Sequence, residues 1–326
     1  MKKVLTVIAL LGLLPHASAD YIHWVDFRLS APVLRSALEL DMASQGGEQP
    51  LDWIDILALA AAWRGGTGVT VADTQRAAQA LRGDTPPERL PGMAGRYFSY
   101  YREAYGAALG GLAGHFAIRR TDPQTGEAEW IPAYGLKAFS PIAAGYPWSH
   151  YPDFGAQRSY GYARPHLGND ILGALGTPIC AVEGGTVEAL GWNRYGGWRI
   201  GIRSDDRKRY YYYAHLRKDT PYAEGLAVGQ RVQAGDVIGF MGRTGYSAQE
   251  NVNNIETVHL HFGLQLIFDE SQKECDSEIW IDVYPIIELL ASHCSSVARD
   301  PQTGRWERLY PYCDLDAEPL RSAAAR

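Results

Sequence analysis

Apolar positions change their period part-way along the chain. From residue 20 to about 115 they recur every three or four residues, as where Leu34, Leu38 and Met42 fall at i, i+4 and i+8, the spacing of one helix face. Ser30 followed by Pro32 marks that helix's start. Asp52 precedes WIDILALAAAW as an N-cap, Thr70 or Asp73 opens a helix ending at Gly83, and residues 97–113 form a fourth, aromatic and alanine-rich helix. Between about 115 and 165 the texture changes, and HFAIRR and AEWIPAYG around the turn DPQTG at 122–126 read as a hairpin; DPQTG recurs at 300–304 as a turn signal only. Phe139 to Tyr162 reads as a long aromatic, Gly- and Pro-rich loop, expected to pack on something or line a site.

From His166 to about Phe268 the period shortens to two, in short runs between Gly-rich turns. In TVHLHFGLQ (257–265), Val258, Leu260, Phe262 and Leu264 share one strand face while His259, His261 and Gln265 share the other. YYYYAHL would place His215 on the face of Tyr213 and Tyr211. A short helix, VYPIIELLASH, follows. The fold class expected is α+β in two domains: a small N-terminal helical domain, then an all-β antiparallel-sheet domain. The expected boundaries are a leader at 1–19, the helical domain at 20–115, a linker at 116–159, the β domain at 160–313 with its core at 160–268, and a flexible tail at 314–326.

Composition narrows the setting. A net charge of −6, without a Lys/Arg block, gives no reason to expect nucleic acid. Lys2 and Lys3 before an apolar run to Leu14, then Ala17-Ser18-Ala19, form a secretory signal peptide cut before Asp20. The run is too short for a stable membrane span, and no later stretch is long enough. The mature protein is expected in the periplasm or outside the cell, in the envelope. Cys180 reads as a buried small hydrophobe, and one disulfide among Cys275, Cys294 and Cys313 is the preferred pairing, with three complete pairings open.

RPHLGNDI (164–171) contains HxGxD as His166, Gly168 and Asp170, in which Pro165 and Gly168 favour an extended, turning segment over a helix. Taken singly, each histidine here reads as structural. In order, HxGxD, YAHL and HLHF within about a hundred residues resemble the lysostaphin/LytM-type zinc endopeptidases that cut peptide cross-links of bacterial cell walls. GTPICAVEGGTVEAL and GQRVQAGDVIGFMGRTG resemble that family's connecting segments. The resemblance covers roughly residues 160–268 and says nothing direct about the helices.

The resemblance implies one Zn2+ per chain, held by His166, Asp170 and His261, with a zinc-activated water as nucleophile, and His215 and His259 as the catalytic pair. Three protein ligands leave the fourth zinc position open to water. His259 is assigned as general base and His215 to groups that gain charge, roles that are exchangeable. The implied partners are peptidoglycan stem peptides or cross-bridges. The chain departs from many relatives in a polar insertion after Gly245, expected beside the groove, and in Gly263 after the histidine strand. With no Asn before residue 169, latency by an upstream asparagine is excluded; any blocking group would come from the loop at 139–162, through His150 or Asp153.

The alternative from another class is a non-catalytic module of the same fold that binds cell wall or activates a hydrolase. A biotinyl- or lipoyl-type carrier barrel is disfavoured, because no Met-Lys or Lys-Met pair occupies a hairpin. A glycosidase site in the helices would need two of Glu39, Asp41, Asp52 and Asp55 to face one cleft. Tyr210 to Tyr213 suit either a peptide groove or cross-strand packing, and Trp192 and Trp198 receive no chemical role.

Overall fold

A computed structural model describes residues 21–273 and 277–317. The leader assigned to residues 1–19 lies outside the described residues. Helix α1 (Ala31–Ser44) begins behind Ser30 with Pro32 in its first turn. Helix α2 (Trp53–Arg64) starts where the Asp52 side chain accepts from Ile54 N–H, and ends at Gly65 in the left-handed region. Ile56 to Ala62 are completely buried, so α2 is the axis of the helical unit. Helix α3 (Val71–Leu81) opens on a Thr70–Asp73 capping box. Helix α4 (Met93–Leu109) starts four residues before the expected position, directly after Pro91 and Gly92, and stops at Gly110-Gly111. Met42 is also displaced from expectation. It is 43% exposed and lies over Gly135, outside the core that Leu34 and Leu38 enter.

The predicted hairpin is β1 (Ala113–Thr121) and β2 (Ala128–Leu136), in continuous antiparallel register. The loop at 139–162 carries β3 (Trp148–His150) and β4 (Gln157–Arg158), and β5 (Arg164–Pro165) pairs with β4. There follow β6 (Asn169–Gly173), β7 (Pro178–Cys180), β8 (Gly185–Asn193), β9 (Gly197–Ser204), β10 (Arg209–Ala214), β11 (Arg231–Val232), β12 (Val237–Phe240), β13 (His259–Leu266) and β14 (Ile279–Ile281). The main sheet runs β11-β8-β9-β10-β13-β6-β3, with β14 also on β13, all antiparallel. After α5 (Tyr284–Leu290) come β15 (Val297–Arg299), β16 (Trp306–Arg308) and β17 (Tyr312–Asp314). Both DPQTG segments close the same turn, with Asp122 and Asp300 each accepting from the backbone two residues on. The architecture is α+β, helices first and antiparallel sheet after.

The segment expected to be free from Asp314 onwards is tied down as far as Ala317. β17 pairs with β1, and Lys137 Nζ donates to Asp314 and Asp316 at 3.0 and 2.9 Å; residues 318–326 lie outside the described residues. Cys180 is buried and unbridged, and the Cys294 thiol donates to Ala291 O, so the expected pairing does not use Cys294. Cys275 lies outside the described residues.

One apolar core runs from the helices into the sheet's inner face. At their junction Arg209, 1% exposed, donates to Gly106 O and Ala107 O at the end of α4 and forms a two-pronged pair with Glu183 at 2.7 and 3.0 Å. Tyr211 Oη donates to the same carboxylate at 2.6 Å. A side chain on Gly111 would overlap Glu183, which explains a glycine where α4 meets the sheet. Arg209→Met leaves the buried Glu183 carboxylate without its cation, held by the Tyr211 hydroxyl, and is expected to cost about 3–5 kcal/mol in urea unfolding. Adding Glu183→Leu should recover part of that loss; a single-variant loss below about 1 kcal/mol would contradict the clamp.

Candidate metal centre

β13 delivers two of the five expected residues. Its alternation buries Leu260, Phe262, Leu264 and Leu266, each at 1% exposure or less, and turns His259 and His261 to the other face. Antiparallel register sets Asp170 of β6 opposite His261 on one side and Ala214 of β10 opposite it on the other. His166 is pinned before β6 by two backbone bonds, its N–H to Ala156 O and its C=O from Gly155 N–H. Between them Gly168 passes so close that an added Cβ would sit 2.7 Å from His261 Cε1 and 2.7 Å from Phe262 O.

Three atoms converge. His166 Nε2 lies 2.7 Å from His261 Nδ1 and 3.0 Å from Asp170 Oδ1, and His261 Nδ1 lies 3.2 Å from the same oxygen. One atom from each of His166, Asp170 and His261 falls within 4.8 Å of the others, a grouping able to surround a metal ion. Two imidazole nitrogens and one carboxylate oxygen are the donor types of catalytic zinc sites. Neighbouring groups fix which atoms are offered. His166 Nδ1 faces Asp153 O and Oδ2, both at 3.1 Å, which turns its Nε2 inward. Arg158 Nη2 donates to Asp170 Oδ2 at 2.9 Å and to Asp153 Oδ2 at 3.0 Å, leaving Asp170 Oδ1 for the centre.

The electrostatics agree with a cation site. Burial opposes charge on Asp170, but hydrogen bonds from His166 and His261 hold its carboxyl far below the usual range. Burial likewise opposes charge on His166, yet Asp153 and Asp170 outweigh it and raise its pKa to about 9. Burial pushes His261 down and His215 well below the ordinary histidine value. Between two ring nitrogens 2.7 Å apart there is room for one proton at most, which marks the place where a cation would satisfy all three groups. The residues present therefore fit a bound zinc.

His215 and His259 border this point. Their rings are 4.7 Å apart, and the His259 Nε2 is 3.7 Å from Asp170 Oδ1. Each ring turns Nδ1 to a backbone carbonyl, His215 to Thr244 O and His259 to Thr257 O, both at 2.9 Å. The expected facing of His215 is wrong. Tyr211 and Tyr213 point into the core, and His215 is brought to the opposite side because its φ is +61°, which breaks strand alternation one residue after β10. The groove over the centre has a volume of about 320 Å3, and Tyr195, Tyr212, Tyr246 and Trp280 are among its walls. Tyr246, from the insertion after Gly245, stacks on Tyr160 with ring centroids 4.6 Å apart, so the insertion does border the groove. Neither expected blocking residue enters it. His150 is held by Asn169 and Glu288 and stacks on Tyr284, while Asp153 stands behind His166. Arg158 escaped the sequence reading, since a lone arginine in a loop carries no pattern.

Of the four helical carboxylates weighed, only Asp52 lines a cleft, so no two of them face one another across it. Asp41 is fully buried and accepts from Tyr134 Oη and Trp53 N–H, Asp52 caps α2, Asp55 pairs with Arg102, and Glu39 is exposed.

Peptidase family M23 matches residues 164–274, a stretch containing all five residues. This segment is an M23 peptidase domain. An L-Ala–D-Glu endopeptidase of Bacillus subtilis (strain 168) is 40% identical over 130 residues, covering 40% of this chain and 38% of the relative. The glycyl-glycine endopeptidase ALE-1 of Staphylococcus capitis is 38% identical over 98 residues, 30% of this chain and 24% of that one. The peptidoglycan DD-endopeptidase ShyC of Vibrio cholerae serotype O1 is 30% identical over 102 residues, 31% and 20% respectively. The chain thus spans well under half the length of these relatives, whose names state three different bonds. Within the M23 domain, Gly168→Ala is expected to displace His261 and to lower zinc affinity about 10- to 100-fold, the usual cost of disturbing a ligand's support. Competition with a chromophoric chelator measures this, and unchanged affinity would remove Gly168 from the account.

Proposed function

We propose that this protein is an exported zinc metalloendopeptidase that hydrolyses peptide bonds of bacterial peptidoglycan. The observation that carries the reading is the convergence of His166 Nε2, Asp170 Oδ1 and His261 Nδ1, with two further histidines turned by backbone carbonyls toward the same point in an open groove. His166, Asp170 and His261 would hold the metal, which when bound supplies Lewis acidity toward the scissile carbonyl and toward water. The reading is supported by the M23 match and by relatives named for peptidoglycan-type bonds. Export rests on the leader-like residues 1–19, and among the described residues no helix is long and apolar enough to cross a membrane.

The chain's own groups then divide the proton work. With Nδ1–H given to Thr257 O, His259 offers a lone pair at Nε2 to the attacking water, and once protonated it returns that proton to the leaving amine. His215, kept neutral by burial and tied through Nδ1 to Thr244 O, presents Nε2 as the second proton-transfer group on the same side. Arg158 fixes the ligand carboxylate, and Tyr212 and Trp280 line the groove beside it. His215→Ala and His259→Ala are each expected to lower release of soluble muropeptides about 100- to 10,000-fold while keeping one zinc per chain by elemental analysis. His261→Ala should lose both. Zinc bound with no cleavage of any wall type by the unaltered protein would instead favour the non-catalytic binding or activating module.

A further inference from the structure

We propose that Arg199 binds a free carboxylate of the peptide lying in the groove, within about three residues of the bond to be cut. This rests on the peptidase reading and narrows its substrate class to acidic peptides over neutral bridges. Arg199 lies on β9, whose Ile200 and Ile202 enter the core, so alternation turns Arg199 to the groove face. Tyr213 pairs with Ile200 and Tyr212 with Gly201, which puts Arg199 level with Ala214, itself opposite His261. Arg199 is therefore two strands from the metal-centre histidine, about 10 Å across the sheet, or about three residues of extended chain.

Its guanidinium is the uncommitted charge of the groove. Arg158 is engaged by Asp153 and Asp170, Lys273 by Glu188, and Arg164 by Tyr160 O and the Tyr195 ring. Among the described residues Arg199 has no ion pair and no side-chain hydrogen bond, and its Nε is buried without a partner. The lining carries four cations against Asp170 and Glu278, and Glu278 already accepts from Trp280 Nε1. Tyr210 and Tyr212 line the groove on the neighbouring strand, where Gly201 leaves room for the Tyr210 hydroxyl. An arginine set among aromatic rings with open donors is matched by a carboxylate, which accepts two parallel N–H bonds. A neutral peptide would leave those donors covered and unpaired.

The test uses the zinc-loaded protein and cross-linked muropeptides prepared in two forms, with the stem-peptide carboxylates free or converted to carboxamides. The acid form is expected to be cut with about 10- to 100-fold higher kcat/KM, mostly through KM, the range for one charged hydrogen-bonded contact. Arg199→Gln should bring the acid down to the level of the amide, and Arg199→Lys should keep part of the preference; a merely structural arginine would depress both forms alike. Equal cleavage of acid and amide by the unaltered protein, or a preference surviving in Arg199→Gln, overturns the proposal. Calorimetric titration of the same pairs separates it from the peptidase reading. Acid-selective binding that Arg199→Gln abolishes, with no turnover, sustains the carboxylate site and overturns the peptidase reading instead.

Discussion

The position of Asp170 opposite His261 is the register constraint on which the centre depends. Because side chains alternate, a slip of β6 by one residue against β13 would turn Asp170 into the core and bring Ile171 to the groove, parting the carboxylate from the histidines of β13. The buried face prevents this slip, since Leu260, Phe262 and Leu264 belong to the core, where Phe262 meets the rings of Tyr211 and Tyr213. Packing on one face of the sheet thus fixes the chemistry on the other. The clamp between Arg209, Glu183 and the end of α4 extends the same support to the helical unit, whose buried residues join those of the sheet in one core.

A second constraint is that three of the four histidines are oriented through the ring nitrogen they do not offer. His166 is backed by Asp153, His215 by Thr244 O and His259 by Thr257 O. Backbone carbonyls are rigid supports whose position is set by the fold, so the tautomer and the aim of these three rings follow from it. Arg158 divides the labour of one carboxylate, taking Asp170 Oδ2 and leaving Oδ1. The groove walls carry several aromatic rings, and among the described residues each lining cation but Arg199 is engaged, Arg158 and Lys273 by carboxylates and Arg164 by Tyr160 O and the Tyr195 ring.

Much of this was legible in residue patterns because it follows from period and from local geometry. The facing of His259 and His261 needs only strand alternation, the starts of α2 and α3 need only Asp52 and Thr70, and a glycine between His166 and Asp170 signals close approach. His215 was misplaced because alternation assumes an unbroken strand, and the left-handed turn at a histidine has no marker in YAHL. Met42 was misassigned because helical spacing does not say that the stripe ends where β2 arrives with a glycine. The support from Asp153 and Arg158, and the unpaired state of Arg199, depend on tertiary neighbours 12 to 17 residues or several strands away, for which no local pattern exists. The tail after Asp314 was read from its polarity, while its order comes from Lys137, 177 residues earlier in the chain.

The central claim is that one metal is held by His166, Asp170 and His261 while His215 and His259 stand beside it as proton-transfer groups. Its most direct test is anomalous diffraction at the zinc edge from crystals of the zinc-loaded protein. The account predicts one anomalous peak with His166 Nε2, Asp170 Oδ1 and His261 Nδ1 each at about 2.0–2.2 Å, and with the Nε2 atoms of His215 and His259 outside coordination distance. A peak coordinated by His215 or His259 in place of one of these ligands, or a zinc elsewhere in the molecule with this centre empty, would contradict it.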